Sequence, residues 1–258
     1  MLIGARLILM LLVSSVAVSA LAALTADYQF QGTLTSTVAG APALTNVGNG
    51  INTFTTDTPA GISRTVLTFP QGNGVALSPT TSLTPSNTYT IVIFARLTDV
   101  IGYRRYVDLM NQTSDNGLYN LDGDLHFFNS AIGTGAPISA GTYSQIVLTR
   151  DGVSGTVIGY VEGVQQFSFV DGAGDGIISA ANTLRFFVDD SVVPGEESAG
   201  AVARIRIYDT VLTPAQVAAL DTVPAISVTE VPTLAPMALP ALALLLTLTA
   251  WAAIRTTR

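Results

Sequence analysis

Tyr143-Ser144-Gln145-Ile146-Val147-Leu148-Thr149-Arg150-Asp151-Gly152 is followed four residues later by Thr156-Val157-Ile158-Gly159-Tyr160-Val161-Glu162-Gly163. Both runs are rich in β-branched and aromatic residues, and each stops on an acid followed by glycine. That is the signature of strands joined by hairpin turns. The reading places strands over 143–149 and 156–161, with Gly152 and Gly163 free to take positive φ at the turns.

The same pattern extends in both directions. Further strands are expected over 28–34, 64–69, 74–77, 89–97, 105–110, 117–121, 125–128, 165–170, 183–188 and 201–208. Tyr89–Leu97 is apolar at its odd positions and again at Val92 and Phe94, so it should be buried on both faces. In Ala203-Arg204-Ile205-Arg206-Ile207-Tyr208 the isoleucines face one way and the arginines the other. Asn73-Gly74, Asp122-Gly123, Asp171-Gly172 and Pro194-Gly195 supply more turns. The segment 38–61 reads as long loops. Such a density of strands and turns makes the chain all-β, a two-sheet antiparallel sandwich. One short helix is expected after Thr213-Pro214-Ala215-Gln216, which has the order of a capping box with proline at the first helical position.

The ends carry addresses. Arg6 precedes an apolar run from Leu7 to Leu24 with small residues around Ala20 and Ala22, the pattern of a secretory signal peptide over 1–24. An uncleaved anchor is the alternative. Residues 223–236 hold three prolines and read as a stalk. The uncharged stretch from Ala235 to Ile254 is long enough to cross a hydrocarbon core of about 30 Å. A transmembrane sorting helix is assigned to 237–254 and a basic tail, with Arg255 and Arg258, to 255–258. Those arginines would stay cytoplasmic.

Between the ends, residues 25–222 form one domain of about 200 residues. The chain has no cysteine, so an exported domain must hold without disulfides. All 11 basic residues are arginine, against 18 acids, for a net charge of −7. That balance excludes a nucleic-acid partner, which needs a basic footprint.

Two resemblances follow from these residues. Val231-Pro232-Thr233-Leu234, the apolar helix and the terminal arginines resemble the IPTL-CTERM sorting signals, relatives of PEP-CTERM. Ala235 and Met237 depart from that pattern. The resemblance implies a sorting protease or transpeptidase as partner, transient membrane attachment, and delivery to the cell surface. The alternative is a C-terminal anchor that is never cut. The order Val147-Leu148-Thr149-Arg150-Asp151-Gly152, Tyr160-Val161-Glu162-Gly163, Leu184–Asp190, then Ile205-Arg206-Ile207-Tyr208-Asp209 resembles LamG-like, concanavalin A-like jelly rolls. Tyr143 and Glu162 replace that family's usual Trp and Asp. The resemblance implies a binding or adhesion domain for a glycan or matrix polymer, not an enzyme. A structural component of a surface layer is the alternative function.

Candidate site residues are few. Tyr103, Arg104, Arg105, Tyr106 and Tyr119 form an aromatic and basic group that could stack on sugars. Asp189-Asp190, with Glu196-Glu197 in the same loop, offers hard oxygen ligands of the kind Ca²⁺ takes. The competing reading has Asp189 capping backbone amides. Asp122-Gly123-Asp124 could be a pair of glycosidase carboxylates, but an Asp-Gly turn explains it. His126 is the only histidine and reads as a plain strand residue.

Overall fold

The computed structural model describes residues 22–222. The sorting motif Val231–Leu234, the helix at 237–254 and all but the last few residues of the signal peptide lie outside them.

Fifteen strands run in chain order: β1 Leu24–Tyr28, β2 Thr45–Val47, β3 Thr53–Asp57, β4 Arg64–Phe69, β5 Gly74–Leu77, β6 Tyr89–Leu97, β7 Tyr103–Asp108, β8 Gly117–Leu121, β9 Asp124–Phe128, β10 Ala131–Ile132, β11 Ser144–Arg150, β12 Thr156–Val161, β13 Val164–Val170, β14 Leu184–Phe186 and β15 Gly200–Tyr208. They build two antiparallel sheets, a jelly-roll sandwich. One has eight strands in the order β13-β12-β11-β6-β15-β4-β3, with β1 added on β15. The other has seven, in the order β10-β9-β8-β7-β14-β5-β2.

The main core lies between the sheets. Ile91, Ile93, Ile205 and Ile207 of the larger sheet pack there with Leu118, Leu125, Phe127 and Phe186 of the smaller. β6 is buried on both faces, as its continuous apolar run requires. Val92, between Ile91 and Ile93, joins a second cluster with Val147, Tyr208 and Val217. That cluster covers the outer face of the larger sheet. Its lid is the helix α1, Pro214–Ala218, whose Val217 is buried. The capping box is formed: the Thr213 side chain accepts from the Gln216 N–H, and Gln216 Oε1 accepts from the Thr213 N–H at 2.8 Å.

Several expectations change. Leu24, assigned to the signal peptide, pairs with Tyr208 in β1, so the fold begins earlier than residue 25. Ala20 and Ala22 still precede it. β2 and β3 lie inside the expected loop 38–61. Both are exposed edge strands, so no apolar alternation marks them. Gly152 is not at positive φ. The β11–β12 turn instead spans 151–155, with Gly155 at φ 70°. A Cβ on Gly152 would meet the Ser86 carbonyl oxygen at 2.1 Å, so close backbone approach is what demands glycine there. Glu162 and Gly163, at φ 49° and 76°, do make the two-residue turn.

Arg204 and Arg206 face away from the isoleucines, yet both are buried. Arg204 Nε bonds Asp27 Oδ1 at 2.8 Å. Arg204 and Arg206 reach Asp221 at 2.6 and 2.8 Å. These pairs close the end of the domain onto the outer face of the larger sheet, where Ala22, Leu24 and Leu220 also pack.

Candidate functional site

The outer face of the seven-stranded sheet holds a concentration of aromatic and charged groups. On β8 and β9, Leu118, Leu125 and Phe127 take the inward positions. Alternation therefore turns Tyr119, His126 and Phe128 outward. Registers Arg105↔Tyr119 and Tyr119↔His126 align β7 with them. Tyr103 meets Tyr119 at 5.6 Å between ring centroids, His126 at 5.3 Å and Phe128 at 5.5 Å. Tyr119 and His126 form a buried floor, while Tyr103 and Phe128 are half-buried above it. His126 Nδ1 is buried and has no hydrogen-bond partner among the described residues. Burial lowers the His126 pKa, so the ring is neutral near pH 7.

Beside the shelf lies Arg105, 1% exposed, with its guanidinium 4.3 Å from the Tyr119 ring centroid. Its Nε bonds Asp189 Oδ1 at 3.2 Å, and its terminal nitrogens reach Asp115 at 3.4 Å and also Asp190. Asp108 stands at 4.0 Å. Glu196 joins this group from the β14–β15 connection: its carbonyl accepts from the Arg105 N–H at 2.8 Å. Burial pushes the Glu196 carboxyl up to about 7, with Asp115 and Asp189 adding to the shift. Tyr103 is raised too, first by burial and then by the nearby Glu196 and Asp115 charges.

The sequence-expected residues separate accordingly. Tyr103 and Tyr119 come together. Tyr106 does not join them, because it is the extra residue of a bulge in β7 and lies wholly in the core. Arg104 is drawn to the rim, where its Nε bonds Asp99 at 3.0 Å. The structure adds Phe128 and Asp115 to this face and sets Glu196, grouped in sequence with Asp189 and Asp190, against the Arg105 main chain. Strand alternation through His126 could have placed Phe128; nothing local could have brought Asp115 and Glu196 to Arg105.

Asp189 and Asp190 do not fit a calcium site. Asp189 Oδ1 accepts from Arg105 and Oδ2 from the Glu196 N–H at 2.7 Å. Asp190 Oδ1 accepts from the N–H groups of Val192 and Val193, and Oδ2 from Arg105. A cation would have to displace Arg105. Among the described residues no group of three or more His, Cys, Asp or Glu is arranged to hold a metal ion. Asp122 and Asp124 flank a hairpin turn, with Asp122 Oδ1 accepting from the Gly102 N–H and Asp124 Oδ1 from the Ala136 N–H.

The phrase around Arg150 is structural. Its Nε bonds Asp171 Oδ2 at 3.0 Å, and Asp171 also accepts from the N–H groups of Asp175 and Gly176. One arginine thus fastens the glycine-rich loop 172–176 to β11.

The family model Laminin_G_3, described as the concanavalin A-like lectin/glucanases superfamily, matches residues 69–218, more than half of the chain. The chain belongs to this superfamily. The match spans the outer-face shelf and the Arg105 cluster, and begins after β1 to β3. Among solved structures of the same fold is domain 4 of AbnA, an extracellular GH43 arabinanase from Geobacillus stearothermophilus, in complex with arabinotriose. It has 20% identity and a TM-score of 0.58, covering 77% of this chain and 98% of that one. The binding domain of botulinum neurotoxin DC, in complex with rat synaptotagmin II, has 13% identity and a TM-score of 0.54; the match covers 76% of this chain and 50% of that one. The binding domain of Paraclostridial Mosquitocidal Protein 1 has 11% identity and a TM-score of 0.56, with 76% and 51% covered. At these identities the likeness concerns the fold. No curated protein matches the sequence.

Proposed function

We propose that this chain is an exported, surface-directed, non-enzymatic binding protein whose jelly roll takes a glycan or extracellular polymer on the outer face of the seven-stranded sheet. The observation that carries this reading is the shelf itself. Half-exposed Tyr103 and Phe128 stand edge to face, at an interplanar angle of 84°, over a floor of Tyr119 and His126. Aromatic rings supply apolar area for the face of a sugar ring, and the carboxyls gathered around Arg105 supply polar groups to orient it. The solved relatives are in keeping with a binding role: one is an arabinanase domain complexed with arabinotriose, the others are toxin binding domains.

The two faces of the sandwich divide the work. The beginning and end of the domain, at Leu24 and Leu220, pack on the outer face of the larger sheet. The shelf occupies the opposite outer face. The tail would act as a temporary address: export by the signal peptide, membrane retention through 237–254, and processing at Val231-Pro232-Thr233-Leu234 by a sorting protease or transpeptidase.

Glycan-array screening of the full chain, beside Tyr103→Ala, tests the binding role. Signal that the substitution removes is the expected result, and absence of any glycan signal overturns it. Mass spectrometry of the mature protein from its own cells tests the address; mature chains still carrying Trp251 would leave only an anchor.

A further inference from the structure

Among the described residues, five strands have a sheet neighbour on one side only: β1, β2, β3, β10 and β13. A free strand edge is a row of unpaired N–H and C=O groups that invites another chain, and proteins blunt such edges. Four of these five are blunted. β10 is two residues long and β2 three. In β1 the Asp27 N–H donates to Ser36 Oγ at 2.9 Å, and its carbonyl accepts from the Thr37 N–H at 2.8 Å. β13 is bulged against β12, and its Gln166 turns the side-chain amide onto the Val164 carbonyl at 3.0 Å. Gly133 also lies against β13, since a Cβ there would stand 2.9 Å from the Gln166 Cβ.

β3 has none of these devices. Thr53-Phe54-Thr55-Thr56-Asp57 pairs with β4 without a bulge and contains no proline and no basic residue. Thr53 to Thr56 are exposed. The one charge turns onto its own sheet, where Asp57 Oδ2 accepts from Arg96 Nε at 3.0 Å and from the Tyr143 hydroxyl at 2.9 Å. Among the described residues, no hydrogen bond reaches the main chain of Thr53–Asp57 except from β4. Two copies of a chain with net charge −7 repel each other overall, so a contact between them must avoid opposing its acids. Antiparallel pairing of β3 with itself about Thr55 does so. It sets Thr55 against Thr55, Phe54 against Thr56 and Thr53 against Asp57. Threonine–threonine and aromatic–β-branched pairs favour a sheet, and no two carboxylates meet.

We propose that β3 is the contact of a two-fold dimer, in which the larger sheets of two copies join edge to edge into one continuous sheet. The two-fold axis of such an antiparallel pair stands perpendicular to the sheet, so both copies turn the same face the same way. The two seven-stranded sheets then lie on one side of the dimer, with both aromatic shelves on that side. A repeating polymer could engage both, the second contact being made at the effective concentration that the first one sets. That consequence rests on the glycan reading; the dimer itself does not.

Sedimentation equilibrium of the full chain in mild detergent, set beside Thr55→Lys and Thr55→Glu, tests the dimer, with melting as a check on folding. Position 55 lies on the axis. Either change therefore opposes like charges across it, whereas a mixture of the two variants opposes unlike charges. Wild type should sediment at twice its own mass. Each variant alone should need about tenfold or more higher concentration to dimerise, and an equimolar mixture should recover the wild-type midpoint. A wild-type chain that stays monomeric, or a dimer that both variants leave intact, overturns the proposal. A mixture that stays monomeric overturns it as well, because the pairing is then not centred on Thr55. Open-ended growth does the same, being the mark of a contact without a two-fold axis.

Discussion

Arg105 and Tyr119, directly opposed in register on β7 and β8, stack cation on ring at 4.3 Å. The pair joins the two halves of the site. The ring belongs to the aromatic floor, and the guanidinium gathers the carboxyls of Asp115, Asp189 and Asp190 from two separate connections. Position and charge of the whole face therefore depend on one side chain with almost no contact with water.

Arg105→Met keeps much of the volume but leaves Asp189 and Asp190 buried without their cation. Breaking a buried pair from one side costs about 3–5 kcal/mol. Urea denaturation at neutral pH should show a loss of that order. The gap to wild type should narrow at acid pH, where burial without the guanidinium lets Asp190 protonate. A gap independent of pH would mean that packing, and not charge, is what the arginine supplies.

Tyr103→Ala and Tyr106→Ala, neighbours in one strand, should behave oppositely. Tyr106 is wholly buried in the main core, and truncating a buried aromatic costs about 3–5 kcal/mol. Tyr103 is half-exposed, so its loss should cost far less stability but remove ligand binding. Thermal melting set beside glycan binding separates them. A stable Tyr106→Ala that fails to bind would restore Tyr106 to the site.

How far the sequence speaks depends on distance along the chain. β4, β5, β8 and α1 fall on their expected spans because apolar alternation, turn residues and a capping box are local signals. β2 and β3 carry no such signal, being short, exposed and threonine-rich. The site divides the same way. Tyr103 and Tyr119 could be singled out as tyrosines, but the bulge that sends Tyr106 inward is a property of strand pairing. The meeting of Arg105 with Asp189 spans 84 positions, and no window of sequence contains it.

The β11–β12 turn tests why a glycine is where it is. Gly152→Ala would drive a methyl toward the Ser86 carbonyl, 2.1 Å from an ideal Cβ, and backbone must move. Gly155→Ala meets nothing nearer than 3.5 Å but must hold φ 70°. The second change should cost about 1 kcal/mol or a little more. The first should cost more, because it also disturbs the Gly152 N–H bond to Thr88 Oγ1. Denaturant midpoints that rank them the other way would show that the 86–88 segment yields easily.

Glu196 makes stability depend on pH in a direction opposite to the usual acid. Its folded-state carboxyl is raised from 4.5 to about 7, so the folded chain holds a proton that the unfolded chain has released. Below the unfolded value the two states bind equally and no penalty exists. As pH climbs from there through about 7, stability is lost, and above that the penalty is complete. The group is half-exposed, so water screens part of the effect. Glu196→Gln removes the charge but keeps the shape. The variant should match wild type near pH 4 and be more stable than wild type near pH 8, with the divergence opening between those limits. Melting curves across that range read the difference directly. Parallel wild-type and variant profiles would show that Glu196 ionises as a solvated carboxyl, and that its place beside Asp115 and Asp189 costs the fold nothing.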